Sequence, residues 1–519
     1  MILINGNIKN FSGKNYNWIK IENRRIKDLG YDAEYNKYDL KKETIIDLEG
    51  KYVLPGFFDS HVHLDETVIN DTNIDFGKAT DFKYIESQLN EAKQKRPDKK
   101  IIMGFSLHYH TLKERRLPTR RELDKMCPEY PVWIASKDRH QSILNSKALE
   151  LIKIPFNLNG LNIDKEGIIT GLLEHEANAY AKSRIMSLYT FDEKCELIKK
   201  YISEKVIKKG VTTLVAIESI LINNRDDYEK FLKFIKKLPI DIELYYNVTD
   251  VDEIKSRGMN RIGGDIGVDG SFTSRNAALF DNYQDIDSNG ELYFSQEELN
   301  NLVLECYKNS IQIGLHAVGD RAFEQVLLAH EYAQSICKVK NIRHRVEHAE
   351  LLSYQQIKRT KNLGLILSMQ PSFETILGNQ EGLLYEGYNE LYEEALGERH
   401  LSTNMFRQII DEGIVVCGGS DSYLTPIDPM LGIHSAVNHP KKNHAIDKDE
   451  AVKLFTINSA YAVNQEKDRG SIALGKRADL IVLSENIEVS PSEKIKDILI
   501  DVTIKNGKII YVRDGVELR

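Results

Sequence analysis

Cysteine, long apolar runs and concentrated basic charge are all scarce in this sequence of 519 residues. Its five cysteines are scattered without a CxxC spacing, which argues against a disulfide framework and fits a reducing compartment. No apolar run approaches the length of a membrane span, and the first residues lack the basic-then-apolar pattern of a signal peptide. We therefore expect a cytoplasmic protein with no membrane partner.

An excess of positive charge is also missing. The formal net charge is −8, whereas a nucleic-acid binder needs a concentrated basic face for phosphate contacts, so no nucleic-acid partner is expected. The glycine pairs Gly263-Gly264 and Gly418-Gly419 lack the spacing and the following helix of a nucleotide-binding loop. What remains is an ordinary globular composition, with 41% hydrophobic and 29% charged residues.

The middle of the chain alternates buried-looking strands with amphipathic helices, which is the pattern of parallel βα units in an α/β fold. Eight strands are predicted, and eight is the number that closes a (β/α)8 TIM-type barrel. They cover residues 53–63, 211–217, 242–248, 264–269, 311–316, 342–348, 364–370 and 414–420. An insertion at about residues 70–200, with its own strand at Val132–Ser136, leaves the C-terminal end of the first strand. Active sites of this fold lie at that end, so the insertion is placed to cover the site.

The two ends of the chain resemble each other. Residues 1–55 and 461–519 both contain short alternating strands broken by turn residues, and neither end has enough apolar residues for its own core. Pairing them into one small β-sandwich domain satisfies both. The predicted barrel domain then covers residues 56–460.

The segment LPGFFDSHVHL places two histidines, His61 and His63, at the end of the first barrel strand. Residues two apart on a strand project from the same face, so both imidazoles can reach one point. Imidazole is a common ligand for Zn²⁺ and similar ions, and this spacing forms a two-armed chelate. An HxH pair alone would not establish a metal site, because a polar turn also accommodates two histidines.

Three later residues strengthen the metal hypothesis. His316 in IQIGLHAVGD, His348 in IRHRVEHAE and Asp421 after IVVCGGS each follow a predicted barrel strand. Side chains at the C-terminal ends of strands one, five, six and eight converge on the mouth of a barrel. Four imidazoles and one carboxylate converging there predict a metal site.

This arrangement resembles the amidohydrolase superfamily over nearly the whole chain. The motifs that carry the resemblance are PGFFDSHVHL, GLHAVGDRA, HRVEHAE, GGSDSYLTPIDP and TINSAYAVNQEKDRGSIALGKRADLIVL. Two further motifs, VDGSFTSRNAAL and KDRHQSILNSKAL, are similar to the YtcJ-like branch, which contains N-substituted formamide deformylases.

The resemblance implies a role for each of these residues. His61 and His63 would hold a divalent metal with Asp421, and His316 and His348 would hold a second ion or orient the substrate and the reaction intermediate. Zn²⁺ is the expected ion, with Mn²⁺ or Fe²⁺ as alternatives, at one or two ions per chain. Asp421 would move the proton of the attacking water to the leaving group, and a neighbouring histidine would stabilise the oxyanion. We take Asp421 and His348 as the catalytic residues.

One position departs from the family pattern. Binuclear relatives have a carboxylated lysine on the fourth strand, four residues before the DGS aspartate, and this sequence has Asp265 there. An aspartate is several ångströms shorter, so Asp265 reaches the bridging point only if the backbone moves. The open alternatives are a single ion, which we favour, binding of Asp265 through water, a bridge from Glu174 or Glu176, or no catalytic role for Asp265.

Other residues are weaker candidates. His140 and Asp269 are predicted to contact substrate, and Arg345 is predicted to pair with a carboxylate near the barrel wall. His108 and His110 repeat the HxH spacing in a polar segment of the insertion, where substrate contact is more plausible than a second metal site.

The sequence thus predicts a metal-dependent hydrolase of C–N bonds that acts on a small molecule, a linear amide such as an N-acyl or N-formyl compound. Hydrolysis of a cyclic amide and deamination of a ring are alternatives within the superfamily. A metal-binding homologue without catalysis is an alternative of another class. A homo-oligomer is compatible with the architecture, although the sequence carries no interface signal.

Overall fold

The computed structural model of the protein describes residues 1–95, 100–136, 139, 141–218, 225–339, 341–376 and 388–518. The strands, in chain order, are β1 (Ile2–Ile4), β2 (Asn7–Ile8), β3 (Trp18–Glu22), β4 (Arg25–Gly30), β5 (Ile45–Asp47), β6 (Tyr52–Pro55), β7 (Phe57–Val62), β8 (Ile74–Asp75), β9 (Ile102–Leu107), β10 (Val132–Ser136), β11 (Gln141–Leu144), β12 (Leu161–Ile163), β13 (Ile169–Glu174), β14 (Val211–Glu218), β15 (Asp241–Tyr246), β16 (Arg261–Gly267), β17 (Gln312–Ala317), β18 (Arg345–His348), β19 (Ile366–Met369), β20 (Val416–Gly418), β21 (Leu480–Leu483), β22 (Ile500–Lys505) and β23 (Lys508–Val512).

The α-helices are α1 (Leu64–Asp71), α2 (Phe82–Lys95), α3 (Arg120–Met126), α4 (Ser146–Ile152), α5 (His175–Met186), α6 (Phe191–Tyr201), α7 (Arg225–Ile235), α8 (Val251–Ser256), α9 (Gln296–Lys308), α10 (Asp320–Ile336), α11 (Tyr354–Leu363), α12 (Ser372–Ile376), α13 (Tyr388–Leu396), α14 (Phe406–Asp411), α15 (Pro429–Val437), α16 (Lys448–Leu454) and α17 (Ile457–Ala462). Within the residue ranges given above, no helix combines the length and the apolar character that crossing a membrane requires.

Eight parallel strands form the central sheet, in the order β7, β14, β15, β16, β17, β18, β19, β20. Each overlaps one of the eight predicted strands, so the predicted (β/α)8 barrel is confirmed. Near the site, the first and last strands meet through the backbone: the Asp421 N–H donates to His61 O at 2.9 Å, and the His63 N–H donates to Ser422 O at 2.9 Å. These bonds bring the end of the last strand beside the HxH segment.

The chain termini supply two further sheets, with strand orders β4-β3-β1-β5 and β2-β6-β21-β22-β23. β6 from the N-terminal part pairs antiparallel with β21 from the C-terminal part, with Val53 opposite Val482. Leu3, Ile19 and Val502 lie in the same buried apolar cluster as this pair. The small domain therefore draws on both ends of the chain, as expected, while its exact bounds stay a prediction.

The insertion is more structured than the sequence indicated. It contains a six-stranded sheet in the order β12-β13-β11-β10-β9-β8, of which only β10 was predicted. Phe76, Leu123 and Ile134 belong to its own apolar core. Several of its strands have two to four residues, too few for alternation to be visible in the sequence.

Candidate metal centre and active site

All five predicted ligands lie together at the C-terminal ends of the barrel strands, and Asp265 lies among them. Ligand atoms within 4.8 Å of one another define three groups: His61, His348 and Asp421; His61, His63 and Asp265; and Asp265, His316 and His348. The convergence predicted from the sequence is therefore present in the fold.

His61 is fully buried, and Glu347 binds one nitrogen of its ring. Its Nδ1 lies 2.8 Å from Oε2 of Glu347, and a carboxylate only accepts, so Nδ1 carries a proton. Nε2 faces the cluster, 3.5 Å from Oδ1 of Asp421, and has no hydrogen-bond partner among the residues that the structure describes. A buried nitrogen without a hydrogen-bond partner fits a bound cation. The Glu347 carboxylate on the other side of the ring fixes the orientation of the imidazole.

Arg345 fixes Glu347 behind His61. Its Nε donates to Oε1 of Glu347 at 2.8 Å and its Nη2 to Oε2 at 2.6 Å, and both side chains are fully buried. Nη2 also donates to the carbonyl oxygen of Ser60 at 2.8 Å. The predicted pairing of Arg345 with a carboxylate is confirmed. The contact from Glu347 to His61 was not predicted.

Asp421 lies between the two histidines of the HxH pair. Its Oδ1 is 3.5 Å from Nε2 of His61 and 3.3 Å from Nε2 of His63. Its φ of +52° is in the left-handed region, which is uncommon for a residue other than glycine and recurs where a side chain must be aimed at a site.

The other half of the cluster centres on Asp265. Its Oδ1 lies 3.0 Å from Nδ1 of His316 and 3.4 Å from Nε2 of His348, and its Oδ2 lies 3.5 Å from Nε2 of His63. On the far side of each ring, Nε2 of His316 donates to Gly270 O at 3.1 Å and Nδ1 of His348 donates to Oε1 of Gln370 at 2.8 Å. Each ring thus presents its other nitrogen to Asp265.

A bulge in β16 places Asp265 there. Gly263 pairs with Gly314 of β17, but the next pair is Ile266 with Leu315, so Gly264 and Asp265 are two extra residues on one strand. Gly263 and Gly264 have φ of +75° and +91°, which glycine adopts without strain. The bulge gives the backbone a course by which the short side chain of Asp265 reaches the cluster.

The alternative bridging carboxylates are engaged elsewhere. Glu174 accepts hydrogen bonds from Gln141 at 2.8 Å and Asn162 at 2.9 Å, and Glu176 accepts one from the backbone of Asn159 at 3.2 Å. In the described part of the chain, neither joins a candidate ligand group.

Burial and neighbouring charges have opposite effects on the pKa values of the side chains in the cluster. Burial lowers the pKa of His61, but Asp421 and Glu347 raise it to about 10. Burial likewise lowers the pKa of His316, and Asp265 raises it to about 9. Burial raises the pKa of Asp265 and of Asp421, but the histidines hold both below the ordinary range. The site therefore favours positive charge at these nitrogens, and a divalent ion competes with protons for the same atoms.

The carboxylate of Asp269 is bound by backbone N–H groups. Its carboxylate accepts N–H bonds from Ala278 at 2.8 Å, Val318 at 3.0 Å and Gly319 at 2.8 Å, and burial raises its pKa to about 6 despite them. It lines the cavity but anchors two loops, and its predicted contact with substrate stays a prediction. His140 and the side chain of His110 lie outside the described residues. His108 joins no candidate ligand group in the described ranges.

A cavity of about 300 Å³ opens over the cluster. His63, Asp265 and Asp421 form part of its floor, and Arg139 and Lys182 of the insertion line its wall. The insertion thus contributes to the site, as expected. Arg139 stands in the KDRHQSILNSKAL motif given in the sequence analysis, but Lys182 lies in α5 outside every motif given there.

Comparison with known proteins agrees with this geometry. The family described as "Amidohydrolase family" matches residues 44–511. The chain is 28% identical to the putative amidohydrolase YtcJ of Bacillus subtilis, over 95% of each sequence. It is 25% identical to the N-substituted formamide deformylase of Arthrobacter pascens, over 99% of each.

Among solved structures, the fold is similar to that of an uncharacterized metal-dependent hydrolase from Pyrococcus horikoshii. The TM-score is 0.78 at 27% identity, and the match covers 95% of this chain and 98% of that one. A corresponding hydrolase from Pyrococcus furiosus gives a TM-score of 0.75 at 25% identity, covering 93% and 99%. The similarity extends over the barrel, the terminal sheets and the insertion.

Proposed function

Because this chain belongs to the amidohydrolase family, we propose that it is a metal-dependent hydrolase of C–N bonds that acts on a linear amide, an N-acyl or N-formyl compound. The observation that carries the proposal is the convergence of four histidines, Asp265 and Asp421 beneath one cavity. The full-length similarity to a protein named N-substituted formamide deformylase favours a linear amide over a ring.

The donor set fits a divalent cation, because imidazole nitrogens and carboxylate oxygens suit Zn²⁺, with Mn²⁺ and Fe²⁺ as alternatives. His61 and His63 would hold one ion with Asp421, and His316 and His348 a second. Asp265 would contribute to both sites, because its carboxylate is 3.0–3.5 Å from three of these rings. Two ions per chain thus replace the single ion that the sequence favoured. When bound, the cation lowers the proton affinity of water and polarises the amide carbonyl.

Asp421 is the proposed proton shuttle. It accepts a proton from water as the water oxygen bonds to the amide carbonyl carbon, and it passes that proton to the amide nitrogen as the C–N bond breaks. The products are an amine and a carboxylic acid, or formic acid from an N-formyl compound. The neighbouring histidines keep the pKa of Asp421 low, so the carboxylate is ionised at neutral pH.

His348 would complete the site. Its Nδ1–H donates to Oε1 of Gln370, which fixes the ring with Nε2 3.4 Å from Oδ1 of Asp265. From there it would hold an ion or stabilise the oxyanion that develops on the substrate.

The test is a substrate screen of the metal-loaded protein. N-formyl amines, N-acyl amines, cyclic amides and aminated rings are supplied separately, and formate, amine, ring-opened product and ammonia are measured. Turnover of linear amides that stops on chelation and returns with metal is the expected result. Turnover confined to cyclic amides or rings contradicts the linear-amide proposal. A protein that binds metal but turns over none of these compounds is the metal-binding homologue without catalysis.

A further inference from the structure

The cavity above the cluster has a carboxyl group on its wall that the proposed mechanism does not use. Glu350 lines this cavity of about 300 Å³, and only 5% of the residue is exposed. It follows His348, the last residue of β18, by two positions, so the two Cα atoms are at most about 7 Å apart. Glu350 is therefore placed to contact a substrate whose amide lies on the cluster.

The backbone around Glu350 is fixed on both sides. The Leu351 N–H donates to Val318 O at 3.2 Å, and the Asn404 N–H donates to Glu350 O at 2.8 Å. The two residues before Glu350 have φ of +69° and +52°, in the left-handed region that residues other than glycine rarely adopt. Such strain is concentrated at ligand sites, where the surrounding structure holds a side chain in one position.

One oxygen of the Glu350 carboxyl group is bonded and the other is not. Oε2 accepts a hydrogen bond of 2.7 Å from the hydroxyl of Tyr392. In the ranges that the structure describes, Oε1 has no hydrogen-bond partner, and no lysine, arginine or histidine forms an ion pair with the carboxylate. The neighbouring carboxylate of Glu374, by contrast, lies 3.5 Å from Nζ of Lys441. A buried carboxylate is stabilised by a cation, and the described protein supplies none to Glu350.

Aromatic rings line the cavity together with Glu350. They belong to Phe272, Phe373 and Tyr392, and the rings of Phe272 and Tyr392 pack edge to face with their centroids 5.5 Å apart. Aromatic faces attract cations, and ammonium groups are recognised between such rings. A carboxylate beside aromatic side chains therefore fits an ammonium group, whereas Glu350 would repel an anionic ligand at this wall.

We propose that Glu350 binds an ammonium group of the substrate, so that the natural substrate is a linear amide that carries a cation, as in an N-acyl or N-formyl diamine. This proposal rests on the proposed function for the position of the scissile amide. The ammonium group would donate to Oε1 while the Tyr392 hydroxyl holds Oε2. The short separation of Glu350 from His348 fits an ammonium group a few bonds from the amide.

The experiment compares paired substrates. N-formyl and N-acetyl derivatives of diaminopropane and diaminobutane are assayed beside those of butylamine and pentylamine, in which a methyl group replaces the ammonium group. The proteins are the wild type, Glu350→Gln and Glu350→Asp. We expect Glu350→Gln to lower kcat/KM for the cationic amides roughly 10- to 100-fold, mainly through KM, because bonds to a charged group are lost. The neutral amides should change less than threefold, and Glu350→Asp should fall between.

Glu374→Gln is the matched control. Glu374 is also buried, but it is outside the lining of the cavity as described and pairs with Lys441. It is a neighbour of Glu350, since Asn404 binds both, with its Nδ2 donating to Oε1 of Glu374 at 2.7 Å. The subsite predicts a lost preference for cationic amides in Glu350→Gln alone. An equal loss in both variants would attribute the preference to general negative charge near the cavity and would overturn the subsite.

Binding is measured separately from turnover. Methanesulfonamides of the same amines resist hydrolysis, and they are titrated calorimetrically into the metal-loaded protein with and without the terminal ammonium group. We expect the ammonium compound to bind the wild type at least about tenfold more tightly, and Glu350→Gln to remove this difference. That result supports the subsite even if no amide is hydrolysed, which would refute the proposed function alone. Equal affinity of both compounds for the wild type, or a preference that survives in Glu350→Gln, overturns the subsite.

Melting temperature and metal content are measured for each variant. A purely structural role for Glu350 would lower the turnover of cationic and neutral amides together, and that outcome also overturns the subsite.

Discussion

Glu347 lies 2.8 Å behind His61 and is the only charged group bonded to that ring's Nδ1 in the described structure. Arg345 in turn binds both oxygens of Glu347. The three side chains form a buried chain of hydrogen bonds that fixes the orientation of the His61 imidazole. Partners of this kind raise the basicity of a metal-ligating histidine and fix which nitrogen faces the ion.

Replacing Glu347 with Gln should weaken metal binding 10- to 100-fold, on the order expected for loss of a partner behind a ligand. It also leaves the Arg345 cation buried without its counter-charge, so the melting temperature should fall. Competition with a chromophoric chelator measures the affinity. Glu466→Gln, which disrupts a comparable pair with Arg343 at 2.9 Å, is the control and should leave the affinity unchanged. Equal affinities in all three proteins would contradict the role of Glu347.

Asp421→Asn should lower kcat by about 10²- to 10⁴-fold, because an amide cannot accept and return the proton. The fold should persist, since the backbone bond from residue 421 to His61 O does not involve the side chain. Steady-state kinetics are compared at equal metal content, with circular dichroism as the check on folding. Activity close to that of the wild type would remove Asp421 as the proton shuttle.

The sequence predicted the barrel well because buried parallel strands appear as apolar runs, and each predicted ligand follows such a run. Contacts between distant positions could not be predicted from the sequence. His61 and Glu347 are 286 residues apart, and nothing in either segment indicates that they form a hydrogen bond. Gly263 and Gly264 were noted only as lacking a nucleotide-loop spacing, although their positive φ is what lets Asp265 reach the cluster. A bulge depends on the register with the neighbouring strand, which a single sequence does not display.

Asp265→Asn should reduce the bound metal from two ions per chain to one, because an amide is a poor shared ligand. Mn²⁺-loaded wild-type protein should give the paramagnetic resonance spectrum of a coupled pair, and the variant that of isolated Mn²⁺. Elemental analysis provides the stoichiometry independently of activity. Two coupled ions in the variant, or one ion in the wild type, would show that Asp265 is not shared.

Gly264→Ala should destabilise the protein and weaken binding of the second ion. A Cβ at Gly264 would lie 2.9 Å from the side chains of both Ile217 and Tyr245, and the φ of +91° is unfavourable for alanine. The strain alone costs about 1–2 kcal/mol, and relief of the clash would shift Asp265. Gly258→Ala is the matched control, since Gly258 also has a positive φ, of +67°, but its Cβ would meet nothing within 4 Å. The variants are compared by thermal unfolding and metal content, and equal losses in both would attribute the effect to backbone strain alone.

A buried histidine away from the site should make the protein less stable in acid. Burial lowers the pKa of His330 to about 3, and its Nδ1 is 3.1 Å from the hydroxyl of Tyr307. An unfolded histidine titrates near 6.5, so between about pH 6.5 and 3 the unfolded chain binds one more proton at this residue than the folded chain does. Its contribution to stability is therefore complete above pH 6.5 and is lost as the pH falls, by at most about 1.4 kcal/mol per pH unit.

His330→Leu should reduce the slope of the free energy of unfolding against pH, measured by chemical denaturation from pH 7 to 4, with no change of slope above pH 7. An unchanged slope below pH 6 would mean that His330 is not neutral in the folded protein.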